Sequence, residues 1–192
     1  MHRKNTLAAG LISLLFAMVA LPSLASAGWY QVIEFEIAED ATRFAFDDQH
    51  VFAENGFPAY GNAFITQGYI YPKGTLAADA NGAFNGVNPD GSPEFTPIGE
   101  WTCRGWFIGD GFGTVSGPVV MTTQTYDLNL SEPGRTTIVS DGMELIDIGQ
   151  TVRRAITGGT GQHSEADGQV KQTLLGFNPL GGVALSLRLE VE

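Results

Sequence analysis

Cysteine occurs once in the 192 residues, so no disulfide can form within the chain. A fold without staples must rest on its apolar core, and a chain of this length supplies one, since a single domain of ~150 residues can bury ~70% of its unfolded surface. Basic residues are scarce: ten Lys and Arg face 21 Asp and Glu, for a net charge of −11. A surface so acidic repels phosphate backbones and anionic headgroups, which excludes nucleic acid as the expected partner. Histidine occurs three times, at His2, His50 and His163, too far apart in sequence to form a metal motif, and none is expected. Beyond residue 21 no apolar run approaches the ~20 residues of a membrane helix, and no window carries a helical apolar stripe long enough to cross a parallel sheet.

Several nucleotide and hydrolase signatures are absent too. Ser116 lacks the G-x-S-x-G frame of a nucleophile elbow. The glycines from Gly158 onward match neither G-x-G-x-x-G nor a lysine-bearing phosphate loop, and no helix is expected after them. No cofactor is called for. Cys103 reads as a small core residue, with only Arg104 beside it to lower a thiol pKa.

What is present begins with an export signal. His2, Arg3 and Lys4 precede an apolar run over residues 7–21, then Pro22 and the small-residue site Ala25-Ser26-Ala27. Cleavage after Ala27 is expected to deliver residues 28–192 as one domain to a periplasm or to the medium. Residues 1–27 hold two of the ten bases and none of the 21 acids, so that domain keeps eight bases against 21 acids, a net −13.

Extended segments bounded by turn residues fill the rest. Strands are expected near residues 29–37, 63–71, 98–108, 115–130, 136–140, 143–148, 152–157, 170–177 and 183–191; two of these merge to give about eight. The last is the clearest, with Val183, Leu185, Leu187, Leu189 and Val191 on one face and Ala184, Ser186, Arg188 and Glu190 on the other. Pairing this strand with the first would remove both sheet edges. The expected fold is therefore all-β, a closed antiparallel eight-stranded barrel, with an interior filled by side chains or holding one small ligand. Between Pro72 and Pro97 the chain is dense in Asn, Gly, Pro and Asp, too long for a hairpin and of the size of a lid or binding loop. Its acids do not follow a calcium-loop spacing, so it reads as a solvated loop.

Residues 153–177, R-R-A-I-T-G-G-T-G-Q-H-S-E-A-D-G-Q-V-K-Q-T-L-L-G-F, read as strand, glycine turn and strand, with a bulge or long turn between. This turn resembles that of the allene oxide cyclase and dirigent proteins, and G-Q-V-K at Gly168 to Lys171 is nearer the cyclase branch. Three further segments agree in order: G-D-G-F-G-T-V-S-G-P from Gly109, D-D-Q-H-V-F-A-E-N-G-F from Asp47, and E-F-E-I-A-E-D from Glu34. The resemblance implies a barrel around a small apolar molecule, a possible isomerase or coupling function, and a homotrimer. Ala38 stands where the cyclases have asparagine, and no proline lies near Ala45, so the oxide-binding half of their site is missing or rebuilt.

Glu36 is the candidate catalytic carboxylate. From periodicity, Tyr30, Val32, Glu34 and Glu36 form the wet face of the first strand, opposite Ile33, Phe35 and Ile37. By resemblance, Glu36 matches a glutamate inside the cyclase barrel that steers charge in a reactive epoxide. A carboxylate ~4 Å from a developing cation at an effective dielectric of ~20 contributes ~4 kcal/mol, about 10³ in rate. Tyr69, Tyr71, Trp101, Cys103 and Tyr126 are the candidate ligand-binding residues, on strands whose aromatics either line a cavity or simply fill a core. Arg104 reads as an outward surface residue and Asp110 as a turn residue. Three functions fit: stereocontrol of a ring closure or coupling, non-catalytic carriage of a hydrophobic ligand, or a structural barrel with a filled core.

Overall fold

The computed structural model describes residues 30–47, 58, 60–108 and 119–192. The proposed signal, Trp29, the segment from Asp48 to Phe57 with His50, and the segment from Gly109 to Pro118 with Asp110 and Ser116 lie outside the described residues.

Eight strands run in chain order as β1 (Gln31–Phe46), β2 (Ala63–Pro72), β3 (Gly99–Phe107), β4 (Val119–Asp127), β5 (Thr137–Leu145), β6 (Thr151–Gly159), β7 (Gly168–Phe177) and β8 (Val183–Val191). Each pairs antiparallel with its neighbour, and β8 returns to β1, so the sheet is a closed barrel. The junction is in register from Gln31 opposite Val191 to Ala38 opposite Ala184, and it leaves no sheet edge to template aggregation.

Alternation decides what goes inside. Leu185, Leu187 and Leu189 are buried in the lumen with Phe35, Ile37, Trp101, Tyr126, Ile138 and Val170. Each such side chain contributes roughly 1.5–3 kcal/mol on burial. Phe35 of β1 meets Tyr126 of β4 edge to face across the barrel, ring centroids 5.3 Å apart. The two expected strands over residues 136–148 are one, β5, because Asp141-Gly142 continues the ladder instead of turning. Gly142 is needed there: a Cβ would lie 3.2 Å from the Arg154 backbone and side chain. The glycine turn carries the expected bulge, a register shift where Gly158 opposes Val139 and Ile156 opposes Ser140. A short 3-10 turn, Gly161–His163, then leads toward β7.

The 73–98 segment is neither a lid on the barrel mouth nor a free loop. It straps the outside of β1, β2 and β8, burying Leu76 and Val87 against Ala38, Tyr71 and Ala184. The Tyr71 hydroxyl donates to the Gly86 carbonyl at 2.6 Å, and that of Tyr69 to the Gly91 carbonyl at 2.8 Å. Gly86 has a φ of 113°, and a Cβ there would meet Ala38 and Leu76 at 2.7 Å, so only glycine lets the strap lie this close.

Candidate functional site

Toward the end of the barrel where β1 and β7 finish and β2 and β8 begin, the lumen opens into a cavity of about 320 Å³. This is the lower part of the range of small-molecule sites, roughly 300–1,000 Å³. Phe44, Phe64 and Phe107 form part of its wall; Phe44 and Phe64 stack at 5.3 Å, and Phe64 lies 5.1 Å from Phe107. Val120, Ile146, Leu174 and Leu185 add aliphatic surface. The wall is thus mostly apolar, and its few polar groups converge from β1, β2, β5 and β7.

Two carboxyl groups line it, Glu39 and Glu144. Glu39 is 5% exposed and shares the inward face of β1 with Phe35 and Ile37. One carboxyl oxygen accepts from the Thr66 hydroxyl at 2.6 Å and the other from the Val183 amide at 2.7 Å. Burial raises the Glu39 pKa above the usual glutamate range, the Thr66 and Val183 hydrogen bonds oppose the rise, and the charges of Glu144 and Asp40 add to it. No cation is paired with Glu39 among the described residues.

Glu144 sits in a different setting. Its Oε1 is 3.4 Å from Arg154 Nη1 and accepts from the Thr122 hydroxyl; its Oε2 accepts from Gln172 at 2.6 Å. Arg154 is a fully buried guanidinium, donating to the Ser140 hydroxyl at 3.1 Å, the Thr122 hydroxyl at 2.7 Å and the Thr122 carbonyl at 2.8 Å. Beyond it Gln172 accepts from Gln124 at 3.0 Å, and Gln124 accepts from the Tyr126 hydroxyl at 2.7 Å. These polar groups plug the lumen beyond the cavity with each charge and amide partnered, as burial demands.

The residues expected from the sequence divide between two faces. Trp101 and Cys103 line the cavity. Burial, reinforced by the Glu144 charge, pushes the Cys103 thiol well up, so it is a poor nucleophile. Tyr126 lies in the lumen but within the plug, bonded to Gln124 and to Ser140 at 2.8 Å, and burial raises its pKa. Tyr69 and Tyr71 are on the outer face under the strap, where burial pushes Tyr71 up to about 12. Glu36 is the correction. It stands opposite Tyr71 and Ser186 on the outer face, the reverse of the interior position implied by the resemblance. There it is buried under the strap, accepting from the Leu76 amide at 2.8 Å and lying 3.3 Å from Lys73 Nζ. Alternation had placed Glu36 opposite in facing to Phe35 and Ile37, and the structure keeps that parity, with the strap in place of solvent.

The charged residues of the site escaped the sequence reading: Glu39, Glu144 and Arg154. The same alternation carries the signal, since Glu39 follows Phe35 and Ile37 at intervals of two, and Arg154 falls between Val152 and Ile156. Arg104, by contrast, is exposed as expected.

No protein-family model matches the chain. No curated protein matches it either. Solved structures do. The pterocarpan synthase dirigent protein PsPTS1 is similar at 14% identity and TM-score 0.58, over 85% of this chain and 94% of that one. A second, GePTS1, is similar at 14% identity and TM-score 0.53, over 93% and 98%. Pyocyanin demethylase is similar at 15% identity and TM-score 0.49, over 84% and 100%. At such identities the likeness is one of fold: this chain has the eight-stranded barrel of the dirigent proteins.

Proposed function

We propose that the lumen holds a small, largely apolar molecule bearing an oxygen that can accept a hydrogen bond, and directs its cyclisation or coupling as a reactive intermediate. The observation that carries this reading is the apolar cavity with two carboxyl groups in unlike surroundings, Glu39 without a cation and Glu144 against Arg154. Groups whose environments separate them in this way suit separate roles. Glu39, with its pKa raised by burial, retains its proton to higher pH than an exposed glutamate does and can donate it to a ligand oxygen that gains negative charge. Glu144, fixed by Arg154, Thr122 and Gln172, offers a rigid acceptor on the same cavity. The aromatic wall confines the conformers from which the ring or bond forms, which is the main service a barrel of this kind provides. The two dirigent structures it resembles, both described as pterocarpan synthases, support the reading. We place the protein outside the cytoplasm, released by cleavage after Ala27, on the strength of the leader in the sequence.

Mass spectrometry of small molecules co-purified with the barrel identifies the ligand, and turnover of that compound is then compared for the wild type and Glu39→Gln. A director of cyclisation keeps its affinity in the variant and loses rate or product chirality. A carrier shows no turnover in either protein and equal affinity in both, which would sink the catalytic reading. Failure of the dye ANS to find a saturable site would show a filled lumen and remove both.

A further inference from the structure

The outer face of β3, β4 and β5 is laid out in rows set by the strand register. Trp106 stands opposite Met121, and Met121 opposite Met143. These three large apolar side chains are 55%, 39% and 44% exposed. In the next row Arg104 stands opposite Thr123, and Thr123 opposite Asp141. Asp141 accepts from the Thr123 hydroxyl at 3.1 Å, and Arg104 has no ion-pair partner among the described residues. The three form a contiguous apolar row on a chain of net charge −11, which makes this face a candidate interaction surface.

The arrangement is self-complementary about one line. A two-fold axis lying in the interface along β4 sets β3 of one copy over β5 of the other. Trp106 then meets the other copy's Met143, Met121 meets Met121, and Arg104 meets Asp141, twice over. An isologous contact requires that residue i meet j and j meet i, and these two rows supply such pairs. A three-fold ring would instead need a second, different patch to receive this one. We propose that this face pairs two copies of the chain about a two-fold axis. The two charges, which are the only ones in the two rows of these strands, set the register while the Trp and Met side chains provide the burial. With three strands about 10 Å across, the contact falls at the low end of specific interfaces, near ~1,000 Å² in total. A contact of that size belongs with weak, transient interfaces, for which we expect a dissociation constant on the order of micromolar.

Sedimentation velocity of the protein purified from its producing cell, from about 1 to 100 μM at physiological salt, tests this against the expected micromolar range. A monomer–dimer equilibrium is expected, with emission from the half-exposed Trp106 moving to shorter wavelength as the dimer forms. Met121→Lys sets two ammonium groups against each other on the axis and should raise the dissociation constant about 100-fold or more. Arg104→Glu should raise it about tenfold by facing Asp141 with a like charge, and adding Asp141→Arg should restore it to within about threefold. All three positions are exposed, so circular dichroism and the thermal midpoint of the monomer should not change. A monomer at every concentration, a trimer, or a dimer indifferent to Arg104→Glu would each overturn the proposal, as would a double swap that restores nothing.

Discussion

Two carboxyl groups of β1, three residues apart, are equally withdrawn from water, at 4% exposure for Glu36 and 5% for Glu39, yet they occupy opposite worlds. Glu36, outside the barrel, is capped by an amide of the strap and faced by the Lys73 ammonium. Glu39, inside, receives a hydroxyl and an amide but, among the described residues, no cation, and it lines the cavity. The difference separates an acid that fastens a segment from one that borders the cavity. A buried carboxylate with a cation at hand is already neutralised, whereas one without is held by dipoles alone and shifts its proton affinity. Glu144 is the intermediate case, since it lines the cavity but is balanced by Arg154.

The most severe way to break that contrast is Arg154→Met, which leaves Glu144 in the lumen without its guanidinium. Removing one member of a buried pair typically destabilises by about 3–5 kcal/mol, so the thermal midpoint should fall by roughly 10 °C at this chain length. Adding Glu144→Gln should recover part of the loss, and a drop below about 1 kcal/mol in denaturant titration would show that the cation is not what admits the acid. Next comes Gly68→Ala. Gly68 pairs with Glu39, and a new Cβ would sit 2.5 Å from the Ala38 carbonyl oxygen and 2.8 Å from the Glu39 Cα. Overpacking against backbone should lower stability by about 1–3 kcal/mol and shift the interior acid, so ligand uptake should weaken as well.

Glu39→Gln sharpens the contrast through pH. The folded pKa of Glu39 is raised above the ordinary value of 4.5 by burial, so the native state binds this proton more tightly than the unfolded chain does. Its stabilising contribution is full below 4.5 and is lost as pH rises through the higher folded value. Thermal melts should therefore show the wild type losing stability relative to Glu39→Gln over that window, and parallel curves for the two proteins would contradict the assignment. The smallest effect is expected from Glu36→Gln. Its partner Lys73 is 46% exposed, so screening leaves the ion pair no more than about 1 kcal/mol. Ligand uptake should be untouched, because the cavity is on the other side of the sheet.

The barrel was legible where alternation met an uninterrupted run. β8 could be read to the residue because five apolar side chains fall at intervals of two without a break, and its closing on β1 followed from the need to pair both edges. The reach of β1 to Phe46 was not legible. The β1–β2 register shifts between Asp40 and Ala45, which breaks the alternation, and within that stretch Arg43 ties Asp40 to Glu100 and lies 4.9 Å above the Tyr69 ring. A one-residue slip in parity exchanges the two faces, so a motif match near position 36 could not by itself tell an outer acid from an inner one. The same holds for the aromatics: Trp101 and Tyr71 look alike as strand residues, and only the position of the strap reveals that one faces the cavity and the other the strap. Arg154 was hidden by composition, since an arginine in R-R-A-I reads as surface, and only its shared parity with Val152 and Ile156 hinted at the inward turn that its partners on β4 and β5 satisfy.

The seam between β1 and β8 joins segments more than 140 residues apart, from Gln31 with Val191 to Ala38 with Ala184. Until the final strand has left the ribosome, the first has only one flank satisfied, and no hollow exists to be occupied. Assembly must therefore wait on the slowest kind of contact, one between remote stretches of chain. A polypeptide built this way cannot close its lumen until its eighth strand has paired with its first.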